Sequence, residues 1–181
     1  MDTFPASPDV RTGSLPTSPN IQNYHIGKGV VSFKETGSST FIDLGNAPSF
    51  QYTPKVTKKD HFSSRQGVKT KDFTAVTEIG ATIKVTLDEI TLENLSIFAL
   101  GNVTGGTITG LTKAEFNGTL QVIGTNDIGQ HVSWVGSVSF VPAGDFAFIT
   151  DTDNFSTIVL EAEVQQAPDG SFGTWYVTTQ T

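Results

Sequence analysis

The chain has 181 residues, of which 36% are hydrophobic and 16% charged, and it carries no cysteine and a formal net charge of −7. This length suits one domain, or one domain with an appended segment, and the charged fraction lies below the usual quarter, so Thr, Ser, Asn, Gln and Gly must cover much of the surface. A disulfide framework and thiolate metal sites are excluded, no apolar run reaches the roughly 20 residues of a membrane-spanning helix, and an acidic majority argues against non-specific DNA binding, which needs clustered Lys and Arg.

The first segment, Met1–Asn20, holds four of the eight prolines among Ser, Thr and Asp and has few apolar residues. It cannot bury enough surface to fold alone, and it lacks the apolar core of a signal peptide. The expectation is an extended or disordered arm over residues 1–22, with one domain over 23–181 and no Sec-type export.

Tyr24–Phe33 alternates as a strand does and predicts Tyr24, Ile26, Val31 and Phe33 on the buried side. Glu35–Thr40 is a turn, and Phe41–Leu44 a short return strand. In Ala47–Val56, Pro48, Phe50, Tyr52, Pro54 and Val56 share one side, and the prolines make this an edge strand, because they lack the donors a ladder needs.

Thr57–Asp72 holds five of the eleven basic residues (Lys58, Lys59, Arg65, Lys69 and Lys71) and only Phe62 and Val68 as apolar ones. A polar stretch of this length inside a compact domain is expected to be functional or disordered. The reading adopted is a protruding loop that grips an acidic neighbour, with Lys58, Lys59, Phe62, Arg65, Lys69 and Lys71 as its contact residues. Charge along the whole chain supports this. Residues 1–71 carry nine basic and five acidic residues, net +4, and residues 72–181 carry two basic and thirteen acidic, net −11, which together give −7. Opposite charge on two parts of one subunit suits head-to-tail pairing between copies.

Phe73–Leu87 is the most strongly patterned stretch. Phe73, Ala75, Ile79, Ala81, Ile83, Val85 and Leu87 fall on one face, and Thr74, Glu78, Thr82, Lys84 and Thr86 on the other, which predicts a long strand with one buried side. The period then changes. Thr91 is a candidate N-cap with Glu93 in the first turn, Leu92, Leu95, Ile97, Phe98 and Leu100 supply an apolar helix face, and Gly101 stops the helix. Leu95 and Phe98 are expected to pack it on the sheet or on an adjacent subunit.

Asn102–Lys113 reads as a glycine-rich connection. Strands follow over Glu115–Thr125 (Phe116, Leu120 and Val122 inward), His131–Val141 (Val132, Trp134, Val138 and Phe140 inward), Asn154–Gln165 (Ile158, Leu160, Ala162 and Val164 inward) and Phe172–Thr179, the last after a Pro168–Gly170 turn. About eight strands and one helix make a mainly β fold, a β-sandwich with one flanking short α-helix.

No stretch presents a catalytic constellation. His25, His61 and His131 are far apart with no second ligand at metal spacing. Asp151–Asn154 begins like a calcium loop, but the required glycine and terminal glutamate are missing. The glycines of Gly101–Gly110 lack the Lys-Ser/Thr of a P-loop, and no serine sits in a nucleophile elbow. The sequence therefore predicts no enzyme, no metal and no cofactor.

Four strings in order, NYHIGKGVVSF (Asn23–Phe33), FIDLGNAPSFQYTP (Phe41–Pro54), HFSSRQGVKTKD (His61–Asp72) and TIKVTLDEITLENLSIFALG (Thr82–Gly101), resemble the major tail tube proteins of long-tailed bacteriophages. The resemblance covers Asn23–Gly101. It implies a sandwich that assembles as hexameric rings, in which one sheet of each subunit joins its neighbours' to close a β-barrel, and rings that stack into a hollow tube through which the genome is ejected. The implied partners are further copies of the chain and other tail proteins (tape measure, tail terminator, distal tail), with phage DNA passing through unbound and no membrane insertion by this chain. The implied location is the virion tail, and the host cytoplasm during assembly. Glu78, Asp88, Glu161 and Glu163 are then the candidates for a lumen that repels phosphate. The alternative is a monomeric β-sandwich module that binds a carbohydrate or receptor through Trp134, Trp175 and Tyr176.

Overall fold

The structure, a computed structural model, describes residues 19, 23–65, 67–141, 143–149 and 155–178. The arm expected over residues 1–22 lies outside these apart from Pro19, as does Asp151–Asn154. In chain order the elements are β1 (Gly29–Glu35), β2 (Ile42–Asp43), β3 (Ser49–Ser63), β4 (Thr70–Leu87), α1 (Leu92–Phe98), β5 (Asn102–Thr104), β6 (Thr107–Thr109), β7 (Phe116–Gly124), β8 (His131–Val141), β9 (Ile158–Val164) and β10 (Thr174–Thr178). The fold is mainly β with one short helix, and the single chain closes no barrel.

Eight strands form one antiparallel sheet in the order β2-β1-β7-β8-β9-β4-β3, with β10 added to β8, and β5 pairs only with β6. β7 takes one edge of β8 over Trp134–Phe140. The other edge is shared, by β10 along His131–Val135 and by β9 along Val138–Val141. The sheet forks there, and its β3 branch turns back over the β10 branch. Consequently Phe50 of β3 lies 6.4 Å from the Trp134 ring, and Tyr52 stands edge-on to Trp175 at 5.0 Å.

Strand alternation fills the enclosed side. Val31 and Phe33 of β1, Ile83, Val85 and Leu87 of β4, Leu120 of β7, Trp134, Val138 and Phe140 of β8, and Ile158, Leu160 and Ala162 of β9 make one buried cluster. Each such side chain contributes about 1.5–3 kcal/mol of transfer free energy. Trp134 fits because two glycines face it. A Cβ on Gly136 would stand 2.6 Å from Cζ2, and one on Gly173 2.4 Å from Nε1. Thr91 caps α1 by accepting the Asn94 amide at 3.1 Å.

Several expectations are corrected. Thr57–Asp72 is not a loop over most of its length: Thr57–Ser63 continues β3, and Thr70–Asp72 begins β4. Both faces of this part are wet, so the strand carries no apolar alternation to announce it. Phe73 and Ile79 are not buried; they are 63% and 60% exposed. Nor do they share a face. The register passes from Thr57↔Glu78 to Lys58↔Val76, which leaves Thr77 as an extra residue on β4, and such a bulge shifts Phe73 and Ala75 off the face that carries Ile79 and Ala81. Tyr24 and Ile26 are exposed because they precede β1 and have no strand partner.

Asn102–Lys113 is a connection with its own small hairpin, β5–β6. The helix ends at Phe98 with Ala99 as its C-cap, and the left-handed residue that follows is Leu100, at φ 45°, rather than Gly101, which lies where a Cβ would meet Ile108 Cγ2 at 2.6 Å. The described residues hold ten strands rather than eight, the additions being the short β5 and β6.

Candidate assembly surface

β4 pairs with β9 only from Thr82 to Leu87, so Thr70–Ala81 has β3 as its sole partner. These twelve residues and their β3 counterparts form a two-stranded ribbon that runs about 40 Å past the sheet. A ribbon of two strands is marginally stable by itself in water. This one also leaves a directly paired Val56 and Ile79 at 54% and 60% exposure, with Val76 and Phe62 exposed further out.

Charge on the ribbon is partly satisfied internally. Residues 55–78 hold six basic side chains (Lys55, Lys58, Lys59, Arg65, Lys69 and Lys71) and three acidic ones (Asp60, Asp72 and Glu78), net +3 with neutral His61. Lys55 pairs with Glu78 at 2.9 Å, Lys71 with Asp60 at 2.8 Å, and His61 Nδ1 meets Asp72 at 2.6 Å. The Lys55 ammonium, with Thr57 Oγ1 beside it, holds the Glu78 carboxyl below the usual carboxylate range, and Glu78 in turn raises Lys55. Hydrogen bonds from Lys71 and then Thr74 lower Asp60 likewise. Lys58, Lys59, Arg65 and Lys69 make no ion pair among the described residues. Of the six proposed contact residues, Lys71 is therefore engaged within the ribbon and the other five are presented outward.

At the opposite end of β4 the charge is reversed. Asp43 accepts the Gly45 amide, Asp88 accepts Asn46 Nδ2 at 2.6 Å, Glu89 accepts the Asn46 amide at 2.9 Å, and Glu93 lies in the first turn of α1. The chain thus carries a basic ribbon at one end of an 18-residue strand and four carboxylates at the other, roughly 60 Å apart along it.

The four lumen candidates are not brought together. Glu161 and Glu163 share the polar face of β9, opposite Lys84 and Thr82 of β4. Glu78 lies further along β4 on the ribbon, and Asp88 past its other end. Glu161 lies 3.4 Å from Lys84, so two of the three glutamates have lysine partners. Around them the face away from the core carries Thr119, Ser137, Asn117 and Gln165 together with a further carboxylate, Glu115, which accepts Ser139 Oγ at 3.1 Å.

Leu95 and Phe98 are half-buried against the core, and Phe98 stands edge-on to Phe146 at 6.1 Å. The residue that seats the helix most firmly is Asn94, fully buried, whose Nδ2 donates to the Leu44 and Glu89 carbonyls at 2.9 Å each. Sequence reasoning missed it, since an asparagine in a short helix looks like surface. It also missed Phe148, Ile149 and Phe155, which are 89%, 94% and 91% exposed. Their signal was legible: three large apolar residues in a stretch otherwise composed as a turn. Trp134 and Trp175 lie in the fold's interior and on its wall, while Tyr176 follows Trp175 on β10 and points to the opposite side. Trp134 and Trp175 are paired directly across β8 and β10 and line one cleft with Phe50 and Tyr52, and Tyr176 has no part in it.

His25 Nδ1 meets the Gln130 carbonyl and His131 Nε2 the Asn126 carbonyl; no group of three or more His, Asp or Glu side chains suited to a metal occurs among the described residues.

Fold and surface together define a mainly β chain whose longest hairpin is left uncovered by the other described residues. The model of the family described as protein of unknown function UCP028589 matches residues 24–122, more than half of the chain, and the chain belongs to that family. No curated protein matches it. Among solved structures it is similar to one described as "Tail of empty GTA particle computed with helical refinement, C6 symmetry", with 15% identity over 84% of this chain and 96% of that one and a TM-score of 0.46. A likeness of that degree carries no weight for function.

Proposed function

We propose that this chain is the structural subunit of a phage-type tail tube, which polymerises as stacked hexameric rings around a lumen that conducts DNA. The observation that carries the reading is the β3–β4 ribbon, about 40 Å of paired strand with exposed apolar and unpaired basic side chains and no cover from the other described residues. Docked on a neighbouring copy, it would bury Val56 and Ile79 and pair the free edge of β3, the kind of edge that proteins otherwise blunt or cover. The carboxylates at the far end of β4 offer a complementary surface for the basic ribbon of the next copy, a heterologous contact that repeats indefinitely.

The four motifs that resemble tail tube proteins fall almost wholly within the stretch that the family model matches. In this reading the tape measure, terminator and distal tail proteins are the other partners, the chain resides in the virion tail after assembly in the host cytoplasm, DNA passes without specific binding, and there is no catalytic role.

Electron microscopy of the full chain over a concentration series tests the proposal. Hollow tubes or rings of uniform width are expected. A particle that remains monomeric at every concentration, with no tubes in virions that contain it, refutes it.

A further inference from the structure

A cleft of about 330 Å³ opens beside β8, lined by Phe50, Tyr52, Trp134 and Trp175, with Lys28 and His25 from the segment that leads into β1. The Tyr52 hydroxyl donates to the Phe172 carbonyl at 3.2 Å and its ring stands edge-on to Trp175, so the aromatic wall is held by the chain itself. Trp175 is 50% exposed. Although the net charge is −7, no carboxylate among the described residues lines the cleft, and Lys28, itself exposed, makes no ion pair there. Aromatic walls beside a free cation suit an apolar group that carries a negative charge next to it.

The chain exposes such a group at another place. Phe148 and Ile149 are 89% and 94% exposed. Phe146 packs on the core and edge-on to Phe98 of α1, and Phe148 stands edge-on to Phe146 at 5.1 Å. Asp145, three residues before Phe148, is exposed and has no ion pair among the described residues. Large apolar side chains left in water together mark an interaction site. None of residues 143–149 lines the cleft, so knob and hole lie apart on one chain. A knob that fits a hole elsewhere on the same molecule makes a heterologous contact, which repeats from copy to copy.

We infer that Phe148 of one copy inserts against Tyr52 and Trp175 of the next, with Asp145 set against Lys28 at the rim. The contact rests on the reading of the chain as a self-assembling subunit and adds a second meeting place to the ribbon. A buried aromatic ring covers about 150–250 Å², well short of the roughly 800 Å² per partner of a stable interface, so this contact acts together with the ribbon.

Both tryptophans of the chain line the cleft, and Trp134 is already buried, so a change in acrylamide quenching reports on Trp175. Over a concentration series of the full chain, with sedimentation and electron microscopy in parallel, the quenching constant is expected to fall about two-fold as copies associate and exclude water. Phe148→Ser stays folded by far-UV circular dichroism and loses this protection. Lys28→Glu and Asp145→Lys each weaken it, and the two together restore it. Constant quenching in the wild-type chain overturns the inference, as does equal protection in Phe148→Ser, or a double variant no better than the single ones. Tubes that form with Trp175 still open to quencher overturn this contact and leave the tube reading standing. Phe148-dependent protection in oligomers that never become tubes does the reverse.

Discussion

Replacing Val56 and Ile79 with serine separates the ribbon's role in assembly from its role in folding. The two side chains face each other across β3 and β4 at 54% and 60% exposure in the single chain. Little native packing is lost when they are truncated, and the monomer's stability should move by no more than about 0.5 kcal/mol. In a tube the exposed remainder is what becomes buried. Taking a fully buried Val or Ile as worth about 1.5–3 kcal/mol, the uncovered half of each contributes about 0.8–1.5 kcal/mol per copy, or about 1.5–3 kcal/mol for the pair. At 1.4 kcal/mol per tenfold, that raises the critical concentration for polymerisation about 10- to 150-fold. Sedimentation of tubes over a concentration series reads this directly, with urea unfolding as the control on the monomer. An unchanged critical concentration in a stably folded variant would show that this face of the ribbon stays in water, and the argument from uncovered apolar surface would fail.

Lys58→Ser/Lys59→Ser/Arg65→Ser should leave the monomer folded and suppress tubes, and wild-type tubes should weaken between low and high salt as the Debye length shrinks to a few ångströms; light scattering against salt concentration checks both. Asn94→Ala leaves the Leu44 and Glu89 carbonyls without their donor and should cost about 1–3 kcal/mol in urea unfolding. Because Asp60 and Glu78 titrate below their ordinary values, their contribution to the ribbon is present above the unfolded carboxylate range and lost as pH falls through the lowered values. Amide protection factors along Thr70–Ala81, corrected for the intrinsic pH dependence of exchange, should therefore stay constant from about pH 7 to 5 and fall only below about pH 4. The raised Lys55 acts in the other direction, its share being lost only as pH rises above about 10.

The enclosed part of the fold was legible in the sequence because its strands are wet on one side only. Ile158, Leu160, Ala162 and Val164 alternate without interruption and are buried without exception. The same rule misled at Phe73 and Ile79, where the alternation continues on paper through two residues, Thr77 and Asp72, that the register skips. A bulge is a property of the pair of strands, so one strand's pattern cannot disclose it. Thr57–Ser63 was hidden for a related reason: a strand with solvent on both faces has the composition of a loop. The helix was legible through Thr91 and Glu93, and Leu95 and Phe98 do pack, but the polar anchor Asn94 was not, since its two acceptors come from segments joined only in the fold. The lysine partners of Glu78 and Glu161 were hidden likewise, because both pairs form between strands.

Those partners bear on how a tube would treat DNA. A lumen that keeps phosphate away by charge needs carboxylates whose field is not cancelled within a few ångströms. On the polar face of β4 and β9, Lys84 lies 3.4 Å from Glu161, and on the ribbon Lys55 lies 2.9 Å from Glu78. Paired charges at such distances appear as weak dipoles to a strand passing a Debye length away, about 8 Å at physiological salt. Glu163 is the one glutamate of the three without an ion pair among the described residues. Further carboxylates lie at the base of α1, and of the six basic side chains without an ion pair among the described residues, four (Lys58, Lys59, Arg65 and Lys69) are on the ribbon. Segregated in this way, charge is suited to fixing one copy against the next, while the Thr, Ser and Asn side chains of the sheet's outer face offer DNA little to bind. In a tube lined by that face, Glu115 and Glu163, which have no ion pair among the described residues, would add repulsion of phosphate to the neutral hydration of those side chains.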